Sequence, residues 1–216
     1  MASAAEVVGL IEAALGDAIA ADDLRGATGE VVGLLGFSQG AKIAASLLYA
    51  QQHCLSTGGA INVEHKFRFA VLLAGRGPLV WLVPNLPTPP GLLSAAQLST
   101  AVLGVADSED AAHHCHLLQV PTIHVHGLSD PGLELHRRML KRYCHPDSVT
   151  LVEWHGEHRV PIRSGDVELM VQQIYRVARE AVVPGRCEQA DRVVKHVELW
   201  PVFRGVSCLV ASSLGE

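Results

Sequence analysis

The amino-acid sequence predicts an α/β protein whose mostly parallel sheet is flanked by helices. Near-continuous apolar runs of strand length occur at residues 31–37 and 67–74, and such runs are typical of parallel strands that helices cover on both faces. These runs alternate along the chain with segments of helical periodicity, which favours a parallel sheet with right-handed crossover connections. At 216 residues the chain is long enough for one domain with a sizeable core.

The first predicted helix covers residues 3–22, where apolar side chains from Val7 to Ile19 recur at helical spacing and Ser3 can cap the start. Five prolines between residues 75 and 91 indicate a loop or cap segment that borders a pocket. The histidine-rich segment 107–119 is compatible with a further helix. The other predicted helices cover residues 39–52, 92–103, 131–143 and 165–181, and the predicted strands cover residues 31–37, 67–74, 121–127 and 149–154.

Composition argues against several classes of protein. The formal net charge is −5 and there is no basic cluster, so nucleic acid is not an expected partner. No apolar run reaches the roughly 18 residues of a membrane span. The five cysteines are widely spread and no signal peptide opens the chain, which predicts reduced thiols and a cytoplasmic protein. We expect one domain over residues 1–183, followed by a tail at 184–216 whose packing the sequence does not indicate.

The motif with the clearest chemistry lies between the first predicted strand and the following helix. Residues 36–40 read Gly-Phe-Ser-Gln-Gly, and a Gly-x-Ser-x-Gly sequence at a strand-to-helix turn lifts the serine hydroxyl out of the backbone. Glycine is expected at both ends because a side chain there would crowd the strand and the helix. The motif therefore predicts Ser38 as a nucleophile, with a purely structural turn as the alternative.

A serine nucleophile needs a general base and an acid that orients the base. In an open α/β sheet, such groups are expected on loops at the carboxyl ends of strands. Asp130 follows the predicted strand at 121–127, and His158 follows the one at 149–154. The chain order of serine, acid and histidine is that of α/β-hydrolase triads, so we predict Asp130 as the acid and His158 as the base.

Both assignments have competing interpretations. Asp130 stands in a Ser-Asp-Pro-Gly turn and could simply cap the following helix. His155 is the rival for the base. The acid has three weaker rivals in a polar stretch, which are Asp107, Glu109 and Asp110.

The 12 histidines raise the question of a metal site. Residues 113–116 read His-His-Cys-His, but adjacent side chains point apart on a helix or strand, whereas zinc needs three or four converging ligands. His124 and His126 alternate on a predicted strand, and His126 lies near enough to its end to line the site. The sequence therefore predicts no metal and no organic cofactor.

Three segments carry a resemblance to a known family. They are residues 33–41, GLLGFSQGA, residues 121–131, PTIHVHGLSDP, and residues 156–161, GEHRVP. Together they are similar to the fungal serine-hydrolase (FSH) family, which includes the thioesterase that releases the polyketide chain in lovastatin biosynthesis. The resemblance covers residues 30–181 and implies an α/β-hydrolase fold with Ser38 as nucleophile, Asp130 as acid and His158 as base. Family members often carry Gly-Gly-His where this chain has Gly156-Glu157-His158.

The amino end departs from the pattern of such hydrolases. Their oxyanion hole uses the backbone N–H of the residue after the serine, here Gln39, and a second N–H from a loop after an earlier strand. The chain opens in a predicted helix, so it looks truncated, without that strand and loop. Losing one donor typically costs about 10²–10³ in rate, and the missing strand would expose one edge of strand 31–37. The weaker alternative is that the tail fills the gap, through its apolar residues 193–197 and 208–211.

The resemblance implies hydrolysis of an ester or an acyl thioester in fungal secondary metabolism. The expected substrate is a hydrophobic acyl group, with a polyketide synthase acyl carrier as the preferred partner. Three alternatives stay open, namely a non-catalytic hydrolase-like binding protein, a peptidase of the same fold and a carboxylesterase for small free esters. Association into a homo-oligomer is also left open.

Overall fold

A computed structural model describes residues 2–27, 29–58, 66–98, 117–182 and 207–211. Its helices and strands alternate along the chain as the sequence predicts. The elements are α1 (Ala4–Leu24), β1 (Val31–Phe37), α2 (Gln39–Thr57), β2 (Phe69–Leu73), β3 (Val80–Trp81), β4 (Leu93–Ser94), a 3-10 turn (Ala95–Gln97), β5 (Thr122–Gly127), α3 (Leu133–Tyr143), a second 3-10 turn (Pro146–Ser148), β6 (Val149–Trp154), α4 (Ser164–Val182) and β7 (Ser207–Ala211).

The main sheet has five strands in the order β6-β5-β2-β1-β7, and every neighbouring pair is parallel. Strand β2 is buried along its whole length, as a near-continuous apolar strand requires. The carboxyl ends of β1, β5 and β6 therefore meet at one edge of the sheet. The predicted α/β architecture with a mostly parallel sheet flanked by helices is confirmed.

Helices cover both faces of this sheet. On one face, α2 and α3 contribute Leu48 and Met139 to a buried cluster, and on the other α4 contributes Met170. Burying a side chain of this size contributes about 1.5–3 kcal/mol. The contacts are close, since a Cβ on Gly33 of β1 would lie 2.5 Å from the ring of Phe69 on β2.

Helix α1 begins at a capping box. The Ser3 side chain accepts the Glu6 N–H at 3.2 Å, and the Glu6 carboxylate accepts the Ser3 N–H at 2.7 Å, which satisfies two backbone donors at the helix start. Val8 and Ile11 then pack α1 against Leu82 and Ala95 in a third apolar cluster. The described helices include none that is both long and apolar enough to cross a bilayer.

The prediction of a helix over residues 92–103 is wrong for its described part. Leu93–Ser94 forms a short strand against Val80–Trp81, and Ala95–Gln97 forms one 3-10 turn. The Leu93 N–H donates to the Leu79 carbonyl at 3.0 Å, so pairing with this strand prevails over helical periodicity. Residues 99–116, which hold the end of that predicted helix and most of segment 107–119, lie outside the described residues.

The tail covers the edge of β1 that was expected to be exposed. Strand β7 pairs in parallel with β1, from Val31 opposite Ser207 to Gly36 opposite Ala211. Residues 208–211 of the tail therefore pair with this edge, as the weaker sequence-based alternative expected. This pairing stabilises the sheet, because backbone donors and acceptors at a strand edge that would otherwise be free become hydrogen-bonded. Residues 183–206, including 193–197, lie outside the described residues.

Candidate active site

Ser38 lies in a sharp turn between β1 and α2. Its backbone angles are φ 54° and ψ −110°, a conformation that costs energy for any residue with a side chain. The Ser38 N–H donates to the Leu73 carbonyl at 2.8 Å, which fixes the turn to β2. A Cβ on Gly36 would collide with the backbone of Gly40 and Ala41, so only glycine allows the strand and helix to approach this closely.

The structure brings Ser38, His158 and Asp130 together from three strand ends. His158 Nε2 lies 3.0 Å from Ser38 Oγ, and His158 Nδ1 lies 2.7 Å from Asp130 Oδ2. The His158 side chain is 31% exposed and that of Asp130 only 1%. His158 can therefore be reached from solvent, while Asp130 is shielded from it.

The loops after β5 and β6 fit against each other through two glycines. The Leu128 N–H donates to the Trp154 carbonyl and the Ser129 N–H to the Gly156 carbonyl, both at 2.9 Å. A Cβ on Gly127 would lie 2.5 Å from the Gly156 carbonyl oxygen, and a Cβ on Gly156 would run into the Trp154 ring. The positions of the acid and of the base therefore depend on one another.

Asp130 lies in a tight turn ahead of α3. Its Oδ1 accepts the Gly132 N–H at 2.7 Å, and its Oδ2 accepts the proton of His158 Nδ1. Burial opposes ionisation of this carboxyl, but the hydrogen bonds from Gly132 and His158 outweigh it and hold the pKa of Asp130 below its ordinary value. Asp130 is therefore a carboxylate at neutral pH, the form that can orient a histidine and stabilise its protonated state.

The competing residues are placed differently. His155 is exposed and takes no part in the hydrogen bonds that join Ser38 to Asp130. The rival acids Asp107, Glu109 and Asp110 lie outside the described residues, as does the His-His-Cys-His stretch at 113–116. The ring of Phe37 packs against the ring of His158, with 5.0 Å between the ring centroids. This contact helps to hold the His158 ring in place.

Three further histidines are buried behind the acid, and sequence reasoning missed one of them. His124 and His126 lie on β5, and His126, which was predicted to line the site, is fully buried. His136 on α3 was not singled out. It is also fully buried, and its spacing to Met139 and Tyr143 on the same buried face was the available signal, because residues i, i+3 and i+7 share one side of a helix.

Other charged groups lie close to the site. Burial lowers the pKa of Lys42, and the nearby Arg76 lowers it further.

The ligand atoms of Asp130, His136 and His158 lie within 4.8 Å of one another, which makes them the set of described residues that could hold a metal ion. In this set the Asp130 and His158 atoms already share a hydrogen bond.

Gln39 is the first residue of α2. Backbone N–H groups in the first turn of a helix have no acceptor within the helix, so the Gln39 N–H is free of that competition and can serve an oxyanion at Ser38. The Gln39 side chain donates to the Leu98 carbonyl at 3.3 Å. The backbone at Leu98 therefore lies beside the serine turn.

A nucleophilic serine at a strand-to-helix turn, with its histidine and carboxylate on later strand ends, defines the α/β-hydrolase class of serine hydrolases. Comparison with known proteins gives the family. Residues 10–170 match the family model described as Serine hydrolase (FSH1), and the chain belongs to that family.

Similar proteins come from fungi. The chain is 52% identical over 187 residues to Esterase dbaE of Emericella nidulans, covering 84% of this chain and 66% of that protein. It is 48% identical over 176 residues to Esterase pigG of Monascus ruber, covering 80% and 64% respectively. The chain thus spans just under two thirds of the length of these relatives. A solved structure from a study of two Rhizomucor miehei esterases is 14% identical with a TM-score of 0.49, covering 83% of this chain and 61% of that one.

Proposed function

We propose that this chain is a serine hydrolase that cleaves an ester or an acyl thioester, with Ser38 as nucleophile, His158 as base and Asp130 as acid. The observation that supports this most is the unbroken chain of hydrogen bonds from Ser38 Oγ through the His158 ring to Asp130 Oδ2, at 3.0 and 2.7 Å. The esterase names of the relatives support the same reaction.

The proposed reaction has two stages. His158 Nε2 takes the Ser38 proton as Oγ attacks the acyl carbonyl, and the Gln39 N–H stabilises the oxyanion. The protonated His158 gives this proton to the leaving alcohol or thiol, which leaves an acyl-Ser38 ester. Water, activated by His158, then hydrolyses that ester and restores the enzyme. The Asp130 carboxylate holds the tautomer of His158 and stabilises its protonated form throughout.

The proposed substrate has a hydrophobic acyl group. This proposal rests on the family resemblance, because Leu92, Ala95 and Leu98 of the segment that the Gln39 side chain holds beside the serine turn belong to the core. Within the proline-rich segment 75–91, which was predicted to border a pocket, Leu79 and Trp81 belong to the core, whereas Leu86 is exposed. A polyketide acyl thioester on a carrier protein, in the cytoplasm, is the finer proposal and rests on the family resemblance. The free, buried thiols of Cys54 and Cys144 fit a reducing compartment.

A carboxylesterase acting on free esters is the second candidate, because the relatives are named esterases. The deciding experiment compares an acyl N-acetylcysteamine thioester with the oxygen ester of the same acyl group. We expect kcat/KM for the thioester to exceed kcat/KM for the oxygen ester by more than the ratio of their rates of hydrolysis by hydroxide. A preference for the oxygen ester would favour the carboxylesterase.

The same assay tests the alternative of a binding protein. A Ser38-dependent burst of product would exclude that interpretation. Binding of both compounds without turnover of either, in a folded wild-type chain, would overturn the proposed function.

A further inference from the structure

His136 lies behind the acid of the proposed triad. Its side chain is 0% exposed, and its Nε2 lies 3.7 Å from Asp130 Oδ2. This is the same carboxylate oxygen that accepts the His158 proton at 2.7 Å. The His136 and His158 rings lie 6.1 Å apart, so the carboxylate of Asp130 stands between two imidazoles, one partly exposed and one fully buried.

Burying the imidazole of His136 at this position lowers the stability of the fold. Neither of its ring nitrogens has a hydrogen-bond partner among the described residues, although buried polar groups in proteins are nearly always paired. An apolar side chain of similar size would fill this position on α3 without the cost of burying two polar atoms. The benefit of a histidine must therefore come from a group that it faces electrostatically.

Four titratable or charged groups face His136, one from each element packed around it. They are Asp130 in the turn before α3, His126 on β5, Arg76 in the loop after β2 and His158 in the loop after β6. Burial lowers the pKa of His136 to about 4, against the opposing effect of Asp130. The ring is therefore neutral at pH 7 and carries a single N–H.

The carboxylate determines which nitrogen carries that proton. A lone pair on Nε2 would repel the Asp130 carboxylate, whereas an Nε2–H is attracted to it. Gly132 permits the approach, because a Cβ on that residue would lie 3.2 Å from His136 Nε2 and 3.2 Å from Asp130 Oδ1.

We propose that His136 is a positioning residue for Asp130, whose carboxylate its Nε2–H holds in the orientation that accepts the His158 proton. This inference rests on the proposed roles of Ser38, His158 and Asp130. The carboxylate then accepts hydrogen bonds from Gly132 on Oδ1 and from His158 on Oδ2, while the His136 Nε2–H attracts Oδ2 electrostatically across 3.7 Å, which is longer than a hydrogen bond. Rotation of the carboxyl group, which would release His158, is opposed from the side away from the substrate.

A positioning role has a pH signature that a structural role lacks. The His136 N–H attracts the negative charge of Asp130. This attraction matters most while His158 is neutral, because a protonated His158 already compensates that charge. Losing this N–H therefore makes protonation of the pair easier. The acid limb of kcat/KM should move to higher pH by about half a unit, as expected for one neutral donor among several.

The test compares three variants with the wild-type chain, using the pH profile of aryl ester hydrolysis and the rate of fluorophosphonate labelling. His136→Leu should lower kcat about tenfold, leave KM nearly unchanged and shift the acid limb. His136→Gln, which keeps an N–H donor of similar reach, should restore most of both. His124→Leu is the matched control, because His124 is equally buried but lies against Cys144, and it should leave kcat and the limb unchanged.

A second measurement needs no variant. Long-range ¹H–¹⁵N correlation spectra of the ¹⁵N-labelled wild-type chain at pH 7 should show His136 as the Nε2–H tautomer. The Nδ1–H tautomer, or wild-type kcat and an unmoved acid limb in folded His136→Leu, would overturn the inference. Absence of turnover and labelling in the folded wild-type chain would instead overturn the proposed function on which it rests.

Discussion

The substitution Gly127→Ala should misalign the base without touching any of the three proposed catalytic side chains. A Cβ on Gly127 would lie 2.5 Å from the Gly156 carbonyl oxygen and 2.7 Å from that of Glu157. Ordinary contacts of this kind begin at 3.4 Å, so the shortfall of 3.4 minus 2.5 Å means a retreat of about 0.9 Å. Both atoms are backbone, so no side chain can rotate away to make room.

This retreat acts directly on the base. His158 follows Glu157 in the chain, and its Nε2 now lies 3.0 Å from Ser38 Oγ. A misplacement of about 1 Å in an active site can cost on the order of 10²-fold in rate, and overpacking costs about 1–3 kcal/mol of stability. We therefore expect kcat to fall about 10–100-fold in a variant that still folds.

The assay is steady-state hydrolysis of an aryl ester, with urea unfolding to measure stability. Gly165→Ala in α4 is the matched control, since nothing lies within 4 Å of its Cβ, and it should keep wild-type kcat. A folded Gly127→Ala variant with wild-type kcat would show that the two loops do not hold the base as described.

Three further predictions concern the acid, the buried histidines and a helix. Asp130→Asn should lower kcat about 10⁴-fold by favouring the wrong tautomer of His158, measured in the same ester assay. Burial lowers the pKa of the three histidines behind Asp130 to about 3 for His124 and about 4 for His126 and His136. Because unfolding lets each take up a proton below about pH 6.5, stability in urea should fall from there toward pH 4, by up to about 1.4 kcal/mol per pH unit for each. Gly16→Ala in α1, where a Cβ meets nothing within 4 Å, should raise the free energy of unfolding by about 0.5–1 kcal/mol.

Each of these predictions has a clear contrary result. Asp130→Asn with kcat near wild type would remove the acid from the mechanism. A free energy of unfolding that stays flat between pH 6.5 and 4 would mean that the three histidines take up protons in the folded state as readily as in the unfolded one. A destabilised Gly16→Ala variant would mean that α1 is packed on the side where the structure leaves space.

The sheet and the proposed triad could be predicted because local signals and topology agree. The apolar runs at β1 and β2 mark buried parallel strands, and parallel strands bring their carboxyl ends to one edge. Once Ser38 was placed at the end of β1, Asp130 and His158 followed as polar residues at the ends of later strands. The sharp turn at Ser38 was also predictable, since a glycine at position 36 lets the strand and the helix approach closely.

What the sequence did not indicate depends on contacts between distant segments. Residues 93–97 have a helical pattern, but Leu93 pairs with Val80 in a strand. Pairing of the tail with the edge of β1 was the weaker of the two sequence-based expectations, because the local sequence of residues 207–211 does not indicate which strand they pair with. His136 was missed because a lone histidine on the buried face of a helix gives no local sign of a carboxylate from another loop beside it.

The most direct test of the central claim is labelling with a fluorophosphonate probe. The wild-type chain is compared with Ser38→Ala and His158→Ala, and with His155→Ala as the control for an exposed neighbouring histidine. The proposed mechanism predicts covalent labelling of the wild-type chain and of His155→Ala, no labelling of Ser38→Ala and strongly slowed labelling of His158→Ala. A folded wild-type chain that is not labelled, or labelling that persists in Ser38→Ala, would contradict the claim.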